Sequence, residues 1–148
     1  MVYVHPEQAK QREELLNLLA EHKAIVLSGH LHKTSVLVRN TPAGNFIQVG
    51  LGSVVPGLDA PVKDHLSGLD VYNAELVKLE PNFTPASLPL RRKILENEKP
   101  FIRYYEYANF CGYSSISVNR QNEVEITYFA NADRTPWKKF NLTRLFES

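Results

Sequence analysis

Ala24-Ile25-Val26-Leu27-Ser28-Gly29-His30-Leu31-His32-Lys33 is the stretch on which the fold of this chain turns. Four apolar residues run together and stop at Ser28-Gly29. A short apolar run closed by a turn signal reads as a fully buried strand of a covered α/β sheet. The loop beyond the C-terminal end of such a strand is where α/β sheets place ligands. Gly29 lets the backbone bend there, so His30 and His32 can face a common point. Neutral imidazole is a frequent metal ligand, which makes His30 and His32 the candidate metal residues. The bland alternative is a pair of ordinary surface or hydrogen-bonded histidines.

The residues around this stretch extend the pattern. From Glu7 to His22 a helix is expected, with Ala9, Leu15, Leu16 and Leu19 forming an apolar stripe at three- and four-residue spacing. Pro6 suits its first turn. Ser35 to Arg39 and Asn45 to Val49 read as strands joined by the polar Asn40-Thr41-Pro42-Ala43-Gly44 turn, which is a hairpin. A Gly52-Ser53 pair follows.

Helix, short strand, Gly29-His30-Leu31-His32, hairpin and Gly-Ser pair together resemble the calcineurin-like metallophosphoesterases. The resemblance covers Glu7 to Val55. It implies a partial metallophosphoesterase β-sandwich core, in an α/β chain with an α+β tail. It also implies that each histidine of Gly-His-x-His contacts one ion of a two-metal centre of the manganese, iron or zinc kind. Leu31, between them, would turn into packing. The implied reaction is hydrolysis of a phosphomonoester or phosphodiester.

Members of that family open with Asp-x-His, then an Asp motif and Gly-Asn-His, all upstream of Gly-His-x-His. None of these occurs here. The expectation is therefore a C-terminal portion of such an enzyme, inactive or nearly so alone, whose partner is an N-terminal catalytic portion. Catalytic residues proper are not assigned. The other histidines carry weaker signals. His5 lies upstream of the helix and reads as a surface residue, His22 closes the helix, and His65 stands beside Asp64 as a stray donor.

Residues 1–80 form the expected core portion and 81–148 the expected extension, with Pro81, Pro85 and Pro89 marking the boundary. Residues 56–69 read as a long loop, and Asp70 to Leu79 as a strand. Leu88 to Asn97 reads as a helix. Phe101 to Phe110 fits helix or strand, and the spacing of Phe101, Tyr104, Tyr105 and Ala108 favours helix. Tyr113 to Val118 and Val124 to Phe129 flank a polar turn as a second hairpin, and Trp137 to Leu142 reads as a last strand.

Composition closes several classes. The chain has 148 residues, 43% hydrophobic and 22% charged, with a formal net charge of +1. No single-sign field is present to draw nucleic acid, and no apolar run is long enough to span a membrane. Cys111 is the one cysteine, which excludes an intramolecular disulfide and a cysteine-based zinc site. The first residues lack the basic and apolar regions of a signal peptide. The alternative to an enzyme portion is a non-catalytic capping or oligomerisation module built on the tail. A sheet edge and helix face left uncovered would favour a homo-oligomer.

Overall fold

The computed structural model describes residues 6–29, 33–54, 62–73, 76 and 88–147. Among them are three α-helices and two β-sheets, a mixed α/β architecture. No described helix is long and apolar enough to cross a membrane.

A single 3-10 turn at Pro6–Gln8 leads into helix α1, Ala9–Glu21. Strand β1 is Ile25–Ser28, β2 is Thr34–Thr41 and β3 is Gly44–Gly50. The β2–β3 hairpin falls where the polar turn predicts it. Thr41 Oγ1 accepts from Ala43 N–H at 3.1 Å and fixes the turn. β3 then pairs in parallel with β1, matching Ser28 with Gly50.

The first sheet runs β1-β3-β2-β5-β4. This order corrects the expectation of a fully buried first strand. Among the described residues β1 is an outermost strand bonded on one side, and Leu27 is 49% exposed. The apolar run was ambiguous because burial of Ile25 alone is enough to seat a short edge strand on the core.

Two further expectations fail for a shared reason. β4, Lys63–Ser67, lies inside the segment read as loop, whereas residues 70–73, read as strand, form turns and bends. The remainder of that predicted strand lies outside the described residues except for Leu76. β5, Ile102–Asn109, is a strand where helical spacing favoured a helix. Both strands gain their backbone partners from distant sequence: β5 pairs with β2 and β4. β5 is covered on both faces, with Tyr105 through Ala108 all buried. Tyr105 and Tyr107 pack on one side with Tyr72, and Ala108 packs on the other. A tyrosine-rich segment satisfies both periods, and the ladder decides between them.

Helix α2, Leu88–Glu98, precedes β5 as expected. Arg39 ties it to β2: the guanidinium donates to Glu98 at 2.8 Å and lies 4.9 Å over the Phe101 ring. The second sheet comprises β6, Gly112–Val118, β7, Val124–Ala130, and β8, Lys138–Asn141. A short helix α3, Leu142–Leu145, follows, capped by the Asn141 side chain.

The two sheets share one core. Val36, Val38, Ile47, Val49, Ala108 and Phe110 from the first meet Ile126, Tyr128 and Phe140 from the second. Burying such side chains is worth about 1.5–3 kcal/mol each before entropy is counted. Tyr128 fixes the register across the layers. Its hydroxyl lies 3.1 Å from Gly50 O and 3.3 Å from Ser35 O, and burial pushes its pKa up.

Candidate functional site

One end of the first sheet gathers the candidate chemistry. β1 ends there, β2 begins there, and β3 and β5 end there, as the pairs Ser28–Gly50, Ser35–Gly50 and Thr34–Ala108 show. Because β3 lies between β1 and β2, the chain from Gly29 to Lys33 joins strands on either side of it, about 10 Å apart at normal strand spacing. His30, Leu31 and His32 belong to this connection and lie outside the described residues. The described residues on both sides define its footing.

That footing is built for close backbone approach. Ser28 Oγ donates to Val49 O at 3.2 Å, and Leu51 N–H donates to Ser28 O at 2.8 Å. A Cβ on Gly50 would sit 2.5 Å from Ser35 Oγ and 3.0 Å from Lys33 O. A Cβ on Gly52 would sit 3.2 Å from Thr34 Oγ1. Gly112 N–H donates to Ser53 O, which ties this segment to the start of β6. Thr34 is 2% exposed, and its Oγ1 has no hydrogen-bond partner among the described residues. A buried hydroxyl in that state fits a polar, solvent-holding site better than a dry core.

The residues present fit only part of a metal centre. Sequence provides two imidazoles at the connection. Among the described residues, no group of three or more His, Cys, Asp or Glu could hold a metal ion. A hydrolytic two-metal site also needs carboxylates to offset its charge, and the described residues bring no such set together with a second ligand group.

A second polar cluster, which sequence reasoning missed, stands at the same end of the sheet. Glu106 on β5 has a side chain only 3% exposed. Its carboxylate accepts from His65 Nε2 at 2.5 Å, Ser67 Oγ at 2.9 Å, Tyr104 OH at 3.0 Å, and the Lys138 ammonium. Burial alone would raise the Glu106 pKa. The hydrogen bonds from Lys138, His65 and Ser67, with the Lys138 charge, outweigh that and hold it below the usual carboxylate value. The same carboxylate helps burial to raise the pKa of Tyr104.

A bulge in β4 aims His65. Pairing jumps from Lys63–Asn109 to Leu66–Tyr107, and Asp64 takes a left-handed φ of 50°. Asn109 Nδ2 donates to Asp64 Oδ2 at 3.4 Å on one side, while His65 turns to Glu106. The His65 ring stands edge-on to Trp137, 5.3 Å between centroids. The one legible signal was His65 beside Asp64. Glu106, Lys138 and Tyr104 carried none, because their meeting depends on three strands from separate parts of the chain. Cys111 is a free, partly buried thiol and takes no part.

Comparison with protein-family models, with curated proteins and with solved structures finds no match to this chain.

Proposed function

We propose that this chain is the C-terminal portion of a calcineurin-like metal-dependent phosphoesterase and contributes His30 and His32 to its two-metal centre. The observation that carries this reading is the footing of the connection. An apolar strand ends at Ser28, and a hairpin strand begins at Thr34. Glycines at 50 and 52 let the backbone pass close to Lys33, Thr34 and Ser35, where the chain re-enters the sheet after Gly29-His30-Leu31-His32. On metal binding, the chemistry supplied is polarisation of the phosphoryl oxygen and a lowered pKa for a coordinated water. The role of this chain is to hold imidazole ligands on a rigid strand end.

A phosphatase assay with p-nitrophenyl phosphate and bis(p-nitrophenyl) phosphate in added manganese tests this. The chain alone is expected to show no turnover above the metal blank. Robust turnover that disappears in His30→Ala would contradict it, because the chain would then hold a complete centre.

One observation favours a second role as an association module. Among the described residues β1 has a neighbour on one side only, and its Leu27 is 49% exposed, as Leu15 and Leu18 are on α1 at 41% and 52%. An uncovered edge with an exposed apolar side chain is prone to pairing.

A further inference from the structure

Among the described residues four strands stand outermost in their sheets: β1 and β4 in the first, β6 and β8 in the second. Three of them carry features that discourage a further strand from adding. β1 is only four residues long, β4 carries Lys63 and Asp64 with a break in its register, and β8 begins with Lys138-Lys139. β6 has none of these. Gly112-Tyr113-Ser114-Ser115-Ile116-Ser117-Val118 holds no charge and no proline, and it pairs with β7 without a bulge over all seven residues.

The hydrogen-bond pattern identifies which backbone groups face its free side. Asn131 N–H donates to Cys111 O and Asn119 N–H donates to Glu123 O, so odd-numbered residues bond toward β7. Even-numbered residues then turn their N–H and C=O away from β7. Gly112 obeys this rule and donates its N–H to Ser53 O at 3.2 Å. Ser114, Ile116 and Val118 direct theirs to the same side.

The side chains of that half of the strand are also uncovered. Ser115, Ile116, Ser117 and Val118 are exposed in succession, so neither face is shielded. Ile116 and Val118 nevertheless belong to the core-facing side of the sheet, because Ile116 lies opposite Ile126 and Ser114 opposite Tyr128, both in the core. They are 40% and 64% exposed. Tyr128 on β7 reaches Ser35 and Gly50, and Lys138 on β8 reaches Glu106, so the first sheet lies under β7 and β8 while β6 overhangs it. Outward backbone groups and uncovered apolar side chains therefore fall on the same two residues.

We propose that β6 pairs antiparallel with β6 of a second copy of this chain across a two-fold axis at Ile116, joining two three-stranded sheets into one of six. The register follows from the contacts. An axis at Ser115 would set Gly112 against Val118 of the partner subunit, where Ser53 already occupies the Gly112 N–H. An axis at Ile116 leaves Gly112 to Ser53. It pairs Ser114 with Val118 of the partner subunit and Ile116 with its own image, giving about six interchain hydrogen bonds from three facing pairs. Both Ile116 and both Val118 side chains then share the overhanging face. Charge selects a second copy as the occupant: an uncharged strand meets no repulsion from its own image, whereas a basic or acidic partner strand finds no counter-charge here. The pairing goes beyond the association through β1 proposed above, and it is independent of the metal reading.

Disulfide trapping in the full chain, with Cys111→Ser as background, tests the register. Ile116→Cys should give a covalent dimer on mild oxidation, because facing hydrogen-bonded residues stand about 5.5 Å apart between Cα atoms, within disulfide reach. Ser115→Cys should not, because its copies lie diagonally, about 7–8 Å apart. Sedimentation velocity reads the affinity. Ile116→Lys places like charges at the axis from a half-exposed position and should weaken the dimer about tenfold or more with the fold intact by circular dichroism. Val26→Lys/Leu18→Glu should raise the monomer fraction yet leave a dimer that Ile116→Lys removes, which separates this pairing from association through β1. The proposal is overturned by Ile116→Cys that does not crosslink, by Ser115→Cys that crosslinks as well, or by a folded Ile116→Lys with unchanged dimer affinity. Were Ile116→Lys to unfold, the two cysteine variants decide alone.

Discussion

Glu106 gathers four hydrogen-bond donors around one buried carboxylate. It is a buried carboxylate that is fully partnered, and breaking such a set costs more than the set is worth relative to apolar packing. Replacing it by Gln leaves Lys138 without a counter-charge and turns an amide N–H toward donors. A loss of about 1–3 kcal/mol at neutral pH is expected, lowering Tm by about 2–4 °C for each kcal/mol. The pH dependence has a defined sign. The folded-state pKa lies below the ordinary value, so the stability Glu106 contributes is present above that value. It is lost as pH falls through the folded-state pKa. Thermal melts of wild type and Glu106→Gln should therefore converge on acidification below about pH 4. A gap that stays constant down to strong acid would show that the carboxylate charge is not the cause.

At the scale of elements, hairpins and helices were legible and the strands that depend on remote partners were not. The Asn40–Gly44 and Asn119–Glu123 turns each sit between strands that pair with each other, so local sequence carries both the turn and the register. α1 announced itself through the apolar stripe and Pro6, and Leu88 to Asn97 was also read as helix. β4 and β5 did not, because Lys63–Ser67 offers little hydrophobic pattern and Ile102–Asn109 offers two. The candidate site divides the same way. His30 and His32 are readable within one four-residue motif, whereas the Glu106 cluster requires β4, β5 and β8 to be assembled first. One element boundary gives a sharp prediction. A Cβ at Gly112 would lie 2.0 Å from Phe129 O, inside the β6–β7 ladder and beside the Ser53 contact. Backbone cannot yield as a side chain can, so Gly112→Ala should cost several kcal/mol, on the order of the larger overpacking penalties of about 3 kcal/mol. Chemical denaturation measures it, and a variant within about 0.5 kcal/mol of wild type would mean the corner is looser than described.

The whole molecule presents two sheets over a common core. Among the described residues β1 pairs only with β3, and it carries no charge to discourage pairing. With Leu27 exposed on β1, and Leu15 and Leu18 exposed on α1, concentration-dependent self-association is expected in sedimentation velocity. Val26→Lys combined with Leu18→Glu should shift the population toward monomer without lowering Tm by more than a few degrees. A clean monomer of the unmodified chain at high concentration would contradict this.

The proposed function makes one claim at the residue scale: His30 and His32 are metal ligands. The most direct measurement is zinc titration of the chain, read from the imidazole resonances of its five histidines. The account predicts that His30 and His32 respond first and together, with weak affinity, and that the response vanishes in His30→Ala/His32→Ala. Zinc uptake that bypasses both rings, or that survives in the double variant, would contradict it.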